Sequence, residues 1–378
     1  MTNRLRLFVV VCQAAFLVSC FASRGAEPTP MRVSLGKADR AGKVWYDIRQ
    51  LGLEGQGWTE VKAPFDRLPA KAQAQVRPPV WGLSRDSAGL CVRFTTDSPD
   101  IACRWTLIKA SLALPHMAAT GVSGVDLYVS NEGKWRWLAT GRPAQAGLNE
   151  ATLVSNLPPD KRDYMLYLPL YNGVTGVEIG LKEGASLATL PRAAGKEKPI
   201  VFYGTSITQG GCASRTGMVH TAILGRRLDR PVINLGFSGN GRMEAEVAAL
   251  LAELDPAIYV IDCLPNMTAA EVTDRAGPLV ATLRKAHPET PILLVEDRTY
   301  ANAFLVEAQR ERNETSRAAL RVVFDKLIAD GDKNVHYLRG ELLLDEDGEG
   351  TVDGSHPTDL GFVQHADAFE KVLRPLLK

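Results

Sequence analysis

Two rhythms of apolar and polar residues divide the chain. From about residue 31 to 185, short alternating runs are separated by Gly, Pro, Asn and Asp: MRVSL, KVWYDI, GLCVRFTT, DIACRWTL, GVDLYVS, KWRWLA, DYMLYLPL and GVEIGL. Alternation with a period of two turns one face of a strand to a core and the other outward. Many short strands at this spacing predict a β-sandwich or jelly roll. The stretch VDLYVSNEGKWRWLA is the clearest hairpin, with Asn131, Glu132 and Gly133 as its turn. Residues 186–198, SLATLPRAAGKEK, carry no period and are expected to form a linker.

Beyond residue 199 the apolar runs become continuous: PIVFYG, PVINLGF, AIYVIDC, PILLVED and NVHYLRG. They alternate with helix-length segments near 218–228, 244–254, 270–286, 305–330 and 357–376. Such alternation predicts an α/β domain over 199–378, with a parallel sheet covered by helices on both faces. Five strands suit a flavodoxin-like order, in which the loops after the strands form one ligand-binding edge. A chain of 378 residues has room for both this domain and the all-β domain at 31–185.

The segment MTNRLRLFVVVCQAAFLVSCFASRG has Arg4 and Arg6 ahead of an apolar run too short for a comfortable membrane span, so residues 1–26 read as an export signal. Within it Leu17-Val18-Ser19-Cys20 resembles the bacterial lipobox, which implies membrane attachment through a lipidated Cys20. The alternative is cleavage near Gly25. Both place the protein outside the cytoplasm, in the periplasm or lipid-anchored at the envelope.

The near-equal balance of 44 basic and 43 acidic residues leaves no electrostatic footprint for nucleic acid, so the partner is expected to be small or uncharged. No feature assigns an oligomeric state. Cys91 and Cys103 flank a hairpin and read as free thiols, whereas a bridge between Cys212 and Cys263 stays open, since export permits disulfides. No Cys or His cluster has zinc-ligand spacing, and neither a metal nor a cofactor is implied.

The candidate chemistry sits where the strands stop. PIVFYG ends abruptly in Gly204-Thr205-Ser206, which places a serine at the carboxyl edge of the sheet as a candidate nucleophile. The loops after strands two, three and five are equally polar: Asn234 to Gly241, Asp262 to Met267, and Asp353-Gly354-Ser355-His356-Pro357. Taken together, these four loops resemble the blocks of the SGNH hydrolases, also called the GDSL esterase and lipase family.

The resemblance implies a role for each block. The family's Gly-Asp-Ser is here Gly204-Thr205-Ser206, a departure that keeps the serine and loses a supporting carboxylate. The oxyanion glycine falls at Gly239, with Gly236 as the alternative. The block-three asparagine is Asn266, in an altered context, and the final Asp-x-x-His is intact as Asp353 and His356. Gly124-Val125-Asp126-Leu127-Tyr128 and the string NLGFSGNGRME further resemble a subgroup with an amino-terminal GxDLY-type β domain. Related architectures among carbohydrate esterases suggest a substrate class by analogy.

These residues can perform acyl transfer to water. A serine hydroxyl needs a base, here His356, and Asp353 is placed to orient the imidazole. The N–H groups of Ser206 and Gly239 and the Asn266 amide would receive the oxyanion. Each residue has a plainer reading as a cap or turn residue, but four coincidences at one edge are improbable. The expected function is an exported serine esterase removing acetyl or another short acyl group from carbohydrate, its partner a small-molecule or oligosaccharide ester. The alternatives are a lipid or thioester hydrolase with the same machinery, and a surface carbohydrate-binding protein without activity.

Other polar and aromatic residues carry less. All six tryptophans fall in the β domain and read mainly as packing, with sugar stacking as the rival. Glu296, Asp297 and Arg298 follow strand four and are candidates to line the pocket. His116, His220, His287, His336 and His365 lack a partner pattern.

Overall fold

The computed structural model describes residues 26–32 and 35–377. The export signal expected at 1–26, Cys20 included, lies outside the described residues apart from Ala26. The amino-terminal half contains β1 (Lys37–Ala38), β2 (Lys43–Asp47), β3 (Leu53–Glu54), α1 (Pro78–Ser84), β4 (Cys91–Thr96), β5 (Ile101–Leu107), α2 (Ala119–Val122), β6 (Val125–Asn131), β7 (Lys134–Gly141), β8 (Leu148–Val154), β9 (Arg162–Tyr167), β10 (Val174–Lys182) and β11 (Leu187–Thr189). They form two antiparallel sheets, one in the order β1-β2-β10-β5-β8 and the other β11-β4-β9-β6-β7 with β3 beside β4.

Alternation along each strand explains why this is a sandwich. Phe94, Trp105, Leu127, Tyr164, Leu166 and Ile179 point between the sheets and form its core. The neighbouring positions on the second sheet, Cys91, Tyr128, Met165 and Tyr167, are buried too, but in a different core shared with Phe202, Ile207 and Val219 of the carboxyl-terminal half. The outer face of that sheet is therefore the docking face for the second domain, which is why β9 is apolar on both sides.

Three expectations are corrected here. Among its described residues MRVSL is not a strand; Met31 only lends its N–H to the Leu187 carbonyl at 2.8 Å. Strand β8 was absent from the expected set. The segment expected to be a linker supplies β11, which pairs with β4 and extends the second sheet.

The second half contains β12 (Ile200–Gly204), α3 (Ser206–Gln209), α4 (His220–Arg227), β13 (Val232–Gly236), α5 (Ala245–Leu251), β14 (Ile258–Asp262), α6 (Ala269–Ala286), β15 (Ile292–Val295), α7 (Glu307–Ala329), β16 (Val335–Leu338) and α8 (Asp359–Leu376). The sheet order β13-β12-β14-β15-β16 is the flavodoxin-like one, all pairs parallel. Every residue of β12, β13, β14 and β15 is buried, as strands covered on both faces must be. Cys91, Cys103, Cys212 and Cys263 are all free and buried, so the Cys212 to Cys263 bridge does not form; the Cys263 thiol instead faces the Tyr203 carbonyl at 3.5 Å.

Candidate active site

The turn that carries Ser206 is dictated by close packing of backbone. Gly204 pairs in register with Gly236 and Asp262, and a Cβ there would lie 2.0 Å from Thr208 Oγ1 and 2.8 Å from the Asp262 carbonyl. Only glycine lets the chain turn this tightly over its neighbours. Thr205 then caps α3, its Oγ1 accepting from the Ile207 N–H at 3.3 Å. The threonine that departs from the family pattern thus still closes the turn. Ser206 follows as the first residue of α3.

The turn after β16 brings the other two groups. Ser206 Oγ lies 2.8 Å from His356 Nε2, and His356 Nδ1 lies 2.8 Å from Asp353 Oδ2. Asp353 Oδ1 accepts the backbone N–H groups of Ser355 at 3.0 Å and His356 at 2.8 Å. Partial burial pushes the Asp353 carboxyl up, but the N–H and imidazole of His356 outweigh it and hold the group below the ordinary aspartate value. Ionised Asp353 accepts Nδ1–H, which leaves Nε2 free to accept the Ser206 proton.

The oxyanion loop can be read by accounting for its N–H groups. Ser238 N–H goes to Gln209 Oε1 at 3.0 Å, and those of Asn240 and Gly241 go to the Phe237 carbonyl at 2.8 and 3.0 Å. Among the described residues no acceptor meets the Gly239 N–H, and Gly239 has φ +68, a conformation glycine adopts without strain. Gly236, the alternative, is spent on Asn234 Oδ1 at 2.9 Å, and a Cβ there would collide with Gln209 N at 2.1 Å. Asn266 closes a single 3-10 turn after β14. In the amide orientation its surroundings require, its Oδ1 accepts from Asn240 N at 3.1 Å and Gly241 N at 3.3 Å, so its NH2 is left to donate elsewhere.

Several residues that serve this site escape a reading of the chain alone. Arg67, fully buried in the β domain, donates Nη1 to the carbonyls of Asn234 and Gly236 at 2.9 Å each, Nη2 to the Leu83 carbonyl at 2.7 Å and Nε to the Asp86 carbonyl at 2.8 Å. Burial lowers its pKa to about 10, so it stays charged at neutral pH. Buried Asp86 takes Lys109 Nζ at 2.5 Å on one oxygen and Gln209 Nε2 at 3.1 Å on the other. Because Gln209 also holds Ser238, the chain Lys109–Asp86–Gln209–Ser238 ties the β domain to the oxyanion loop.

Tyr171, also from the β domain, donates to the Ser206 carbonyl at 3.1 Å. His116, exposed on the loop after β5, places its ring centroid 5.8 Å from that of His356. None of these residues stands in a motif. The only local hint is Asn172-Gly173, a turn signal beside Tyr171.

Glu296, Asp297 and Arg298 do not line a pocket. They are buried at 7%, 0% and 1% exposure, and Arg298 braces the histidine turn from behind. Arg298 Nε donates to the Ser355 carbonyl at 3.1 Å, its Nη2 to Ser355 Oγ, and its Nη1 pairs with Asp297. Glu296 takes the Tyr337 hydroxyl at 2.7 Å and the Gly340 N–H at 2.8 Å. Another buried ionisable group against α3 is Asp262, which accepts from Thr208 Oγ1 at 2.9 Å. Burial, then the Asp297 carboxylate, raise its pKa to about 7.

A parallel α/β sheet presenting a linked serine, histidine and aspartate at its carboxyl edge has the architecture of a serine hydrolase. Residues 197–374 match the GDSL-like lipase/acylhydrolase family, and residues 43–187 match the amino-terminal domain described for SGNH-hydrolase-type esterases, GxDLY. A crystal structure described as a GDSL-like lipase from Bacteroides ovatus ATCC 8483 is 35% identical, with a TM-score of 0.83 over 89% of this chain and 98% of that one. The chain therefore belongs to the GDSL-like lipase/acylhydrolase family, the SGNH hydrolases.

More distant structures share the fold. The salicylyl-acyltransferase SsfX3 of a tetracycline biosynthetic pathway is 20% identical, with a TM-score of 0.65 over 92% of this chain and 94% of that one. An acetyl xylan esterase, Est2A, from the rumen bacterium Butyrivibrio proteoclasticus is 13% identical, with a TM-score of 0.55 over 88% and 99%. No curated protein is significantly similar to this chain.

Proposed function

We propose that the protein is an exported serine esterase that removes acetyl or another short acyl group from a carbohydrate. The observation that carries the reading is the continuous contact from Ser206 Oγ through His356 to Asp353, at 2.8 Å for each link. Ser206 Oγ attacks the ester carbonyl while His356 Nε2 takes its proton, and Asp353 stabilises the imidazolium. The carbonyl oxygen gathers charge and is met by the N–H groups of Ser206 and Gly239 and the Asn266 NH2. The C–O bond to the sugar breaks as His356 returns the proton to the leaving alkoxide. Water, deprotonated by the same imidazole, then attacks the acyl-serine and releases the carboxylic acid and the free serine.

Carbohydrate as the substrate is supported by the likeness of both domains to esterase architectures, among them one described as an acetyl xylan esterase. His116 and Tyr171 place the β domain at the rim of the centre, where the sugar portion would lie. Export rests on the charged and apolar pattern of residues 1–26. One observation favours the lipid-hydrolase reading: Phe304 and Leu305, 77% and 78% exposed, sit on a loop whose Ala301 N–H bonds Gly354 of the histidine turn.

A release assay separates the readings. Acetylated xylo-oligosaccharides and a series of p-nitrophenyl esters of rising chain length are incubated with the protein and with Ser206→Ala. The carbohydrate reading expects Ser206-dependent acetate release and falling activity beyond about four acyl carbons. Preference for long acyl chains would establish the lipid reading instead, and no turnover of any ester by folded protein would leave the binding protein.

A further inference from the structure

Four of the six tryptophans are accounted for by packing. Trp105 is buried inside the sandwich, Trp45 is buried on the outer face of the first sheet against Gly180 and beneath Arg104, and Trp58 and Trp81 pack against the hydrolase core. Trp135 and Trp137 are different. They alternate along β7, at the edge of the sheet whose outer face docks on the hydrolase domain. There the two domains diverge and leave a cleft of about 510 Å³, walled on the far side by α4 and α8. Trp135 is partly covered, whereas Trp137 is 51% exposed.

The exposed indole is held in place. Trp137 Nε1 donates to Asp126 Oδ1 at 2.9 Å and Thr140 Oγ1 at 3.1 Å, and the Arg215 guanidinium lies 5.5 Å from its ring. A large aromatic surface kept rigid yet open to water is pre-organised for an amphipathic ligand. The cleft is sized for a small molecule or a few linked rings, not for a protein domain.

Its charge is one-sided. Lys134, Arg215, Arg226 and Arg227 line it, and no carboxylate does. Arg215 is matched by Asp126 at 2.6 Å, and Arg227 by Asp367 at 2.6 Å and Glu370 at 3.2 Å. Among the described residues neither Lys134 nor Arg226 has a carboxylate partner within salt-bridge reach. Arg226 lies 4.0 Å from the Tyr128 ring and gives Nη2 to the Gly217 carbonyl at 2.8 Å, but its Nη1 is buried without any hydrogen-bond partner. Arg226 is thus covered by its own neighbours and adds positive charge to the wall, while Lys134, exposed and unpaired among the described residues, is the cation open to a bound anion.

We propose that this cleft binds an acidic oligosaccharide, one bearing uronate residues, at a site separate from the Ser206 centre. The apolar C–H faces of the pyranose rings stack on Trp137 and Trp135, and a uronate carboxylate pairs with Lys134 in the positive field of the arginine wall. The sugar class rests on the carbohydrate reading above; the charge preference stands on the cleft itself. The loop that carries Arg215 also carries Ser214, whose N–H bonds Asp359 just beyond His356 at 2.9 Å, so the cleft's rim is tied to the start of α8.

The test uses the full exported chain carrying Ser206→Ala, so that no ester is consumed. Oligogalacturonate, a neutral xylo-oligosaccharide of equal length and poly-L-glutamate are titrated by calorimetry and by tryptophan fluorescence. The proposal expects oligogalacturonate to bind at least about tenfold more tightly than either control, with affinity falling as salt is raised. Trp137→Ala should weaken it by about tenfold or more, Trp137→Phe should restore part of the loss, and Lys134→Ala should abolish the preference for the acidic sugar.

Equal binding of the neutral sugar or of poly-L-glutamate, or binding unchanged by Trp137→Ala, overturns the proposal. Hydrolysis of p-nitrophenyl acetate by Trp137→Ala with Ser206 intact is expected to be unchanged. Loss of all ester hydrolysis with oligogalacturonate binding retained would defeat the esterase reading and leave the cleft site standing.

Discussion

The two halves of the Ser206 centre are built on different principles. The acid–base half is local: Asp353 and His356 share one turn, Asp353 accepts from the backbone of that turn, and it remains partly open to solvent. The oxyanion half is assembled across the molecule. Its loop is braced by Arg67 and Asp86 from a domain more than a hundred residues upstream, with Gln209 as the intermediary. Proton transfer tolerates a compact unit because the imidazole needs only one partner on each nitrogen. Stabilising an oxyanion needs donors fixed before the charge arrives, and fixing a glycine loop requires partners from outside it. The β domain therefore braces the proposed oxyanion loop as well as adjoining it.

The contrast can be broken or sharpened by substitution. The largest effect belongs to the local half: Asp353→Asn puts an amide donor where Nδ1–H now meets an acceptor, favours the wrong tautomer and should lower kcat roughly ten-thousandfold with the thermal midpoint nearly unchanged. Next, Asn266→Ala removes one oxyanion donor and should lower kcat about a hundredfold to a thousandfold with KM little altered, measured on p-nitrophenyl acetate. A smaller loss, roughly ten- to a hundredfold in kcat, is expected for Gln209→Ala, which frees the Ser238 N–H and loosens the loop without touching the substrate. Gln209→Glu, which keeps an acceptor for Ser238 but faces Asp86 with a second carboxylate, should recover none of it.

A separate effect is on stability. Asp262 holds its proton in the folded protein up to about pH 7, while in the unfolded chain it ionises near the ordinary value of 3.8. Its contribution to stability is thus greatest below the unfolded value and declines as pH rises through the window up to about 7, at up to about 1.4 kcal/mol per pH unit. Asp262→Asn should flatten the denaturant midpoint across that window, and an unchanged slope would show that Asp262 is ionised in the native state.

The same contrast governs what could be read from the chain. The parallel strands β12 to β16 are legible because burial on both faces makes continuous apolar runs, and the loops that end them mark the sheet edge. Ser206, Asp353 and His356, which the fold brings into contact, can be singled out in the chain because each sits in a short motif at such an end. Strand β8 was missed because its exposed edge position mixes polar and apolar residues without a clean period, and β11 because three residues are too few to show one. Arg67, Asp86 and His116 carry no local signal at all. What they touch is decided by the docking of one domain on the other, through Tyr128, Met165 and Tyr167.

The central claim is that Ser206 is an activated nucleophile, and fluorophosphonate labelling of the folded protein, read by intact mass and peptide mapping, tests it most directly. One label per chain on Ser206, lost in Ser206→Ala and strongly slowed in His356→Ala, is the predicted result. A folded native chain that takes up no label, or one labelled to the same extent after Ser206→Ala, would contradict it.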